Sequence, residues 1–374
     1  MRELILGCPG TGKTTELISI FSRYDNALYL TFSRAASQEV KKRCKNHTDH
    51  GTIRTIHSLC YSLLSMTKQR MINYSELNGL AAATGLPRLD IDHNNITSKI
   101  INEYNKIRIN PDMYLEYKDT IAFEHFAKAT DEYKAAKGKK DFTDLLTEGL
   151  IAAKNLDLSG VDALIIDEAQ DLSPLQWDIV RVLSTKINDV FIAGDDDQEI
   201  YGFNGASAES MLRLPAEGYS VRILPQSYRI PERVHSLSQK LIATVQDRYY
   251  KPYAPREEKG LVRKYSDIEH VPFEYFTDPD ILFLSRTNHH VEEHKTRIRS
   301  LTGGLLSFND KQHKTIHQSK GLEANTVFVF LAVTNKIANS AASTAEAKIF
   351  YVAVTRAKQN LIIIGNPAKE YTAL

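Results

Sequence analysis

The chain lacks any apolar run long enough to cross a bilayer: its longest, Val327 to Val333, falls far short of the twenty or so residues a spanning helix needs. A signal-peptide pattern is missing as well, so an intracellular protein is expected, with no membrane partner. Cysteine is scarce. Cys8, Cys44 and Cys60 are odd in number and form no C-x-x-C pair, which supports neither a disulfide framework nor a zinc ribbon. Charge of one sign is missing too: 47 Lys and Arg against 46 Asp and Glu leave a net charge of +1, so a polyanion would have to be held by a local groove. Low-complexity stretches and internal repeats are absent. With 374 residues, 42% hydrophobic and 25% charged, the chain has room for two or three cored domains.

What is present begins at once. Gly7 to Thr14 reads G-C-P-G-T-G-K-T, a complete G-x-x-x-x-G-K-[ST] phosphate-binding loop. The loop follows the apolar strand Arg2 to Leu6 and opens a helix whose apolar residues, among them Leu17, Ile18, Ile20 and Phe21, recur at helical spacing. In such a loop the backbone N–H groups around Gly7, Gly10, Thr11 and Gly12 wrap phosphates, Lys13 reaches the β- and γ-phosphates, and the Thr14 hydroxyl, next to Thr15, sits on Mg²⁺.

Strand-like and helical segments alternate through the first third, with strands at Ala27–Phe32 and Thr52–Thr55 and a helix over Ala35–Lys45, the mark of an α/β parallel sheet. From Ile56 to Asp141 the pattern turns helical, with breaks at Gly85-Leu86-Pro87 and Asn110-Pro111, and reads as a helical insertion. Strands resume at Ala163–Ile166 and Val190–Ala193. A last α/β block begins at Val221, with strands at Val221–Leu224, Ile281–Leu284, Thr326–Val333 and Leu361–Ile364 and a loop around Pro252-Tyr253-Ala254-Pro255.

The strand ending at Ile166 delivers Asp167-Glu168-Ala169-Gln170-Asp171 at its C-terminal end, where α/β sheets place ligand chemistry. Asp167 suits holding Mg²⁺ through a water, and Glu168 suits the task of orienting and deprotonating an attacking water. The next strand ends in Gly194-Asp195-Asp196-Asp197-Gln198-Glu199-Ile200-Tyr201-Gly202-Phe203-Asn204-Gly205-Ala206. In that order the three segments resemble the UvrD/Rep/PcrA group of superfamily 1 helicases. Further segments fit the group's motif set in order: Thr31 to Ala36, Thr55-Ile56-His57-Ser58, Asp141 to Leu146, Gln226-Ser227-Tyr228-Arg229, Ser285 to Asn288, Thr315 to Glu323 and Tyr351 to Lys358.

The resemblance implies an α/β fold of two RecA-like P-loop lobes with parallel sheets and a helical insertion in the first lobe. The expected boundaries are residues 1–63 and 141–213 for the first lobe (1A), 64–140 for its insertion (1B) and 214–374 for the second lobe (2A). It further implies that ATP with Mg²⁺ lies between the lobes. Lys13, Thr14, Asp167, Glu168 and Gln198 would come from the first, and Arg229 and Arg356 would approach from the second as arginine fingers. Tyr228 would stack on the base, Glu323 would accept from the ribose, and Gly321 would lie beside it.

A motor on a single strand needs sequence-tolerant contacts, which aromatic stacking supplies. The resemblance puts Phe32, Phe142, Tyr201 and Phe203 at such places, with Phe142 and Tyr201 equally open to a core role. Ser33, Arg34, Thr55, His57, Ser58, His317 and Ser319 are implied as backbone contacts. Phe203 stands where the family usually has Trp, and Asn204 where it usually has Arg, so the platform is smaller and less cationic. Trp177 reads as helix packing. Lys41-Lys42-Arg43 with Lys45, and Lys134, Lys137, Lys139 and Lys140, read as solvated faces that can also meet phosphates. His290-Val291-Glu292-Glu293-His294 matches a zinc-peptidase H-x-x-E-H pattern but offers no third ligand.

Two departures from the family are visible. Nothing before Met1 supplies the Gln that usually reads adenine, which leaves ATP against GTP open. Between Asn288 and Thr315 there is room for one helix and a turn at Gly303-Gly304, so the helical 2B insertion of the second lobe is expected to be absent. The expectation is an ATP-dependent, 3′ to 5′ single-stranded DNA translocase and helicase acting at single-strand/duplex junctions, with RNA as an open alternative track. A remodeller that needs a protein partner to unwind, and a non-motor nucleotide switch, are the rival readings.

Overall fold

The computed structural model describes residues 1–44, 50–88, 96–110, 116–202, 205–304, 311–332 and 344–365. Short aliphatic segments pair into a six-stranded sheet of β1 (Arg2–Gly7), β2 (Ala27–Thr31), β3 (Gly51–Thr55), β4 (Ala163–Asp167), β5 (Asp189–Gly194) and β6 (Ser220–Leu224), ordered β3-β2-β4-β5-β1-β6. Every residue of β2 and β4 is buried, as in a parallel sheet covered on both faces. The pairs of β2 with β3 and β4, and of β4 with β5, are parallel. Their register sets Thr31 opposite Asp167 and Tyr29 opposite Ile165.

By contacts the chain divides into two compact units, one of Met1–Leu4, Thr14–Ala193 and Tyr201–Ser220, the other of Ile5–Lys13, Gly194–Ile200 and Val221–Leu374. In the first, the segment expected to be helical forms the helices Ile56–Leu63, Tyr74–Ala83, Ile96–Ile109 and Ile121–Lys137. The last three have a small core of their own: Leu80, Ile100, Tyr104, Phe123 and Phe126 pack together. Caps fix where helices start. Asn73 with Glu76, Asp141 with Asp144 and Ser173 with Gln176 form reciprocal capping boxes, and Gly138, at φ +60°, ends the helix Ile121–Lys137 in the left-handed region.

In the second unit, β7 (Gln226–Pro231) pairs with β8 (Ala254–Arg256). The strands β9 (Leu261–Tyr265), β10 (Ile281–Ser285), β11 (His313–Thr315), β12 (Ala324–Phe330) and β13 (Ala357–Ile364) make a parallel sheet ordered β11-β10-β12-β13-β9. Its core gathers Phe276, Ile281, Phe283, Ile298, Phe328, Phe330 and Ile362.

Three expectations change. The strand at 221–224 joins the six-stranded sheet as β6 and not the five-stranded one. The loop around Ala254 contains β8, and Tyr253 is buried. The helix expected at Ala35–Lys45 runs Arg34–Arg43, capped by Ser33, and Lys45 lies outside the described residues. Among the described residues no helix is long and apolar enough to cross a membrane.

Candidate nucleotide and strand-binding site

In the first unit β4 ends on Asp167, which is 1% exposed. Its Oδ2 accepts from the Thr14 hydroxyl at 2.9 Å and from the Tyr29 hydroxyl at 3.0 Å, while Oδ1 accepts from the Glu168 backbone N–H at 2.9 Å. Glu168 sits at φ +55°, a left-handed conformation that costs a residue with a side chain about 1–3 kcal/mol and is characteristic of functional sites. Gln170 Nε2 donates to Glu168 Oε2 at 2.6 Å, which restrains that carboxylate. Thr15 is exposed, and its hydroxyl accepts from Arg43 at 2.6 Å.

The donor chemistry here suits magnesium. A hydroxyl and a carboxylate oxygen 2.9 Å apart are hard ligands at about the spacing of neighbouring positions in an octahedron with bonds of 2.0–2.1 Å.

In the second unit the loop Ile5–Lys13 is bound to β7. The Ser227 hydroxyl donates to the Pro9 carbonyl at 2.8 Å, and the Tyr228 N–H donates to the Gly10 carbonyl at 2.8 Å. Gly10, at φ +75°, is required on two counts, because a Cβ there would collide with Arg229 and Ser227. Lys13 Nζ donates to the Gly7 carbonyl at 2.6 Å. Tyr228 is 73% exposed, and Gly321 turns at φ +82° in open space.

Gln198 and Arg356 meet in the same unit. The guanidinium donates to Gln198 Oε1 at 2.9 Å and, through its other nitrogens, to the carbonyls of Val352 and Leu322. Arg356 is 2% exposed, so it is not a surface salt bridge. Gln198 Nε2 donates to Asp195 Oδ2 at 2.7 Å, and Lys320 Nζ to the Gln198 carbonyl at 2.8 Å. Arg229 Nε donates to Glu323 Oε2 at 2.6 Å, so the carboxylate expected at a ribose is an arginine's partner in this structure.

Sequence reasoning missed the charges beneath Gln198. Asp195, Asp196 and Asp197 are fully buried around Lys251, also fully buried, whose Nζ lies 3.2 Å from Asp195 Oδ1 and 3.0 Å from Asp197 Oδ2 and pairs closely with Asp196. Arg248 grips Asp197 with two hydrogen bonds of 2.7 and 2.5 Å. Burial opposes charge on Lys251, yet the three carboxylates take its pKa well above the usual lysine value.

The residues expected to meet a strand are divided. The Phe32 and Tyr201 rings lie 5.3 Å apart, tilted at 36°, and Phe142, 59% exposed, meets the His57 ring edge-on at 5.7 Å. Burial, and then Arg34, push His57 down to about 4. Burial, and then Arg286, do the same to His317, whose Nε2 lies 3.2 Å from the Ile200 carbonyl. Both are neutral at pH 7 and offer hydrogen bonds, not charge. Ser33, Thr55 and Ser58 use their side chains to cap helices. Ser319 is fully buried, and its hydroxyl donates to the Ile316 carbonyl at 2.7 Å. Phe203 and Asn204 lie outside the described residues.

Of the lysines before Asp141, Lys137 is exposed as expected, while the other three are paired. Lys134 is buried, lying 2.9 Å from Asp141 and 3.0 Å from Asp144; Lys139 pairs with Glu76 at 2.6 Å and Lys140 with Glu148. His294 of the H-x-x-E-H pattern stacks on Phe330 at 3.8 Å and shares a 2.9 Å hydrogen bond with Ser285, a packing role. Trp177, 1% exposed, packs inside as read.

Residues 2–217 match the UvrD/REP helicase N-terminal domain, and residues 314–364 the UvrD-like helicase C-terminal domain. The chain belongs to the UvrD/Rep helicase family. A "Probable DNA helicase" of Mycoplasma pneumoniae is 25% identical over 441 aligned positions, covering 97% of this chain and 80% of that protein. The ATP-dependent DNA helicase PcrA of Bacillus subtilis is 24% identical over 269 positions, 64% of this chain and 36% of PcrA, so the chain spans well under half the length of that relative. A solved structure of Arterivirus nonstructural protein 10 (helicase) with DNA aligns with 100% of this chain and 63% of its own, at 14% identity and a TM-score of 0.47.

Within this UvrD/Rep framework, Tyr29 also escaped sequence reading. The signal was there: it is a phenol in the middle of the buried strand Ala-Leu-Tyr-Leu-Thr, on the same face as the Thr31 hydroxyl. Lys251 and Arg248 carried no local signal. They reach the Asp195–Asp197 turn from far along the chain, 55 residues in the case of Lys251 and Asp196.

Proposed function

We propose that this UvrD/Rep family member is an ATP-driven motor that moves 3′ to 5′ along single-stranded DNA and separates duplex at a junction. The observation that carries the reading is the chain of hydrogen bonds Asp195–Gln198–Arg356, in which one amide touches both an acid and a buried guanidinium. Such an amide can report the state of a γ-phosphate to the helix and sheet that hold Arg356. The relatives' names, ATP-dependent DNA helicase among them, support the same assignment.

In this mechanism the N–H groups at Gly7, Gly10, Thr11 and Gly12 cradle the phosphates, and Lys13 neutralises the β- and γ-oxygens. Thr14 and Asp167 would hold Mg²⁺, which supplies charge neutralisation on the phosphates when bound. Glu168, oriented by Gln170, takes a proton from the attacking water. Arg229 and Arg356 stabilise the charge that develops on the transferred group. Tyr228, exposed beside the loop, stacks on the base, and Glu323 exchanges Arg229 for the ribose. Phe32, Tyr201 and Phe142 give stacking surfaces for the strand, with Arg34 and His57 beside them.

A second reading, a translocase that needs a protein partner to unwind, is favoured by the short segment between β10 and β11, which contains the helix Asn288–Leu301 and no room for a 2B insertion. ATPase rate measured with and without single-stranded DNA or RNA, beside Lys13→Ala and Glu168→Gln, tests the motor. No stimulation by any single strand sinks it. A forked duplex then separates unwinding from translocation alone.

A further inference from the structure

The carboxylate of Asp167 is approached by a residue that the P-loop and the acidic motif do not account for. Tyr29 lies mid-strand in β2, fully buried, with its ring edge-on to Phe21 at 5.9 Å and an interplanar angle of 78°. In the β2–β4 register it opposes Ile165, two residues before Asp167, so the two side chains share a sheet face. A diagonal neighbour of this kind is within reach of a long aromatic side chain. The reach is made: the phenol donates to Asp167 Oδ2 at 3.0 Å, the same oxygen that accepts from Thr14 at 2.9 Å.

A phenol buried among aliphatic residues is costly unless its hydroxyl is satisfied, and phenylalanine would fill the strand at no such cost. An ionised carboxylate only accepts, so the phenol hydroxyl is the donor in the 3.0 Å bond to Asp167 Oδ2, and that bond satisfies it. With Tyr29 and Thr14 both on Oδ2 and the Glu168 N–H on Oδ1, the carboxylate is held at both oxygens. Its rotation about χ2 is restrained from the side of β2, by a group fixed to the sheet.

We infer that Tyr29 is a positioning residue for metal-bound nucleotide: it fixes the Asp167 carboxylate in the orientation in which, together with Thr14, it holds a divalent cation. This deepens the proposed nucleotide site and rests on that reading. Partners that hydrogen-bond a metal-holding carboxylate typically change metal affinity by about 10- to 100-fold when removed.

The test is equilibrium binding of a fluorescent ADP analogue to the full chain, titrated with Mg²⁺ and repeated in EDTA, with no turnover involved. Tyr29→Phe keeps the ring and its packing and removes one donor. The Mg²⁺ concentration for half-maximal strengthening of binding should rise roughly tenfold, while affinity in EDTA stays unchanged. A purely structural role would instead lower the melting temperature without moving the Mg²⁺ dependence, and that result overturns the inference. p-Aminophenylalanine in place of Tyr29 restores a donor at the ring's end and should recover the dependence; failure to recover it counts against the inference. Asp167→Asn supplies the second arm: if Tyr29 acts through Asp167, the double variant loses little beyond Asp167→Asn, whereas additive losses overturn the coupling. A wild-type chain that binds nucleotide with no metal dependence overturns the nucleotide–metal reading itself, and the inference with it.

Discussion

Arg356 and Gln198 are joined by a 2.9 Å hydrogen bond inside the second unit, and the guanidinium is also held by the carbonyls of Val352 and Leu322. This arginine is therefore held in place by three acceptors. Preorganised donors are what a charge-developing reaction needs, because no reorganisation is left for the moment of transfer.

The first prediction concerns that fork. Lysine has the charge but cannot reproduce planar donors to three separate oxygens. Arg356→Lys should lower the strand-stimulated kcat by about 10³, in the range typical of an arginine finger. The KM for ATP should move far less. Gln198→Ala should lower kcat in the same direction and by less, since Arg356 keeps its two carbonyl partners. Steady-state ATPase assays read both, and an Arg356→Lys variant that retains a tenth of wild-type kcat would refute the assignment.

The buried charges around Lys251 lead to a stability prediction. Lys251→Met removes the buried ammonium that Asp195, Asp196 and Asp197 share, leaving Arg248 on Asp197. Breaking a buried ion pair from one side costs about 3–5 kcal/mol, because the remaining charge is left uncompensated. Urea denaturation should report a loss of that order. A loss below about 1 kcal/mol would mean that water already reaches the cluster.

How much of this was readable in the residues depends on whether the signal was local. β2, β4, β10 and β12 are buried apolar runs, and the P-loop carries its own grammar of glycines, so all were legible. β9, half-exposed at an edge, and β11, three residues long, lack both alternation and an apolar run. They are strands because a neighbouring strand offers its free N–H and C=O groups, which a one-dimensional pattern does not contain. The site divides the same way. Lys13, Asp167 and Gln198 stand in motifs, whereas Tyr29, Lys251, Arg248 and the Arg108–Lys134 pair act through partners brought close only by folding. Lys134 is instructive: among neighbouring lysines it looked like a solvated face, and burial beside Asp141 made it structural.

The Arg108–Lys134 pair governs a third prediction. Arg108 donates to Asp141 at 2.6 Å and also pairs with Asp144, and Lys134 lies beside both carboxylates, so the N-terminus of the helix Phe142–Lys154 is clamped directly beside the exposed Phe142. Phe142→Ala should weaken single-stranded DNA binding by about 1–3 kcal/mol, the value of one stacked base. Ile151→Ala, at another exposed position of the same helix, should leave binding unchanged. Arg108→Gln should weaken binding with Phe142 intact, since the ring loses its anchor. Fluorescence anisotropy with a labelled oligonucleotide measures all three, and equal losses for Phe142→Ala and Ile151→Ala would remove Phe142 from the track.

The last prediction is a pH dependence of stability. Burial is the first cause of the depressed values of His57, His317 and His294. Neighbouring positive groups add to it, taking the first two down to about 4 and His294 further below its usual value. In the unfolded chain histidine titrates near 6.5. Between that value and about 4 the unfolded state therefore binds more protons than the folded one, and stability must fall as pH falls through this window. Asp141 extends the loss. Burial alone would raise its carboxyl, but Arg108 and then Lys134 bring it below the usual aspartate value, so its contribution is present above the unfolded pKa near 3.9 and disappears as pH drops through the folded one. The melting temperature should thus decline steadily from about pH 7 to pH 4 and more steeply beneath. His294→Gln should flatten the upper part of the curve, since its ring is stacked on Phe330 and bonded to Ser285, whereas His289→Gln at an exposed position should not. A melting temperature that does not change between pH 7 and pH 4.5 would show that these imidazoles accept protons in the folded protein as readily as in the unfolded chain.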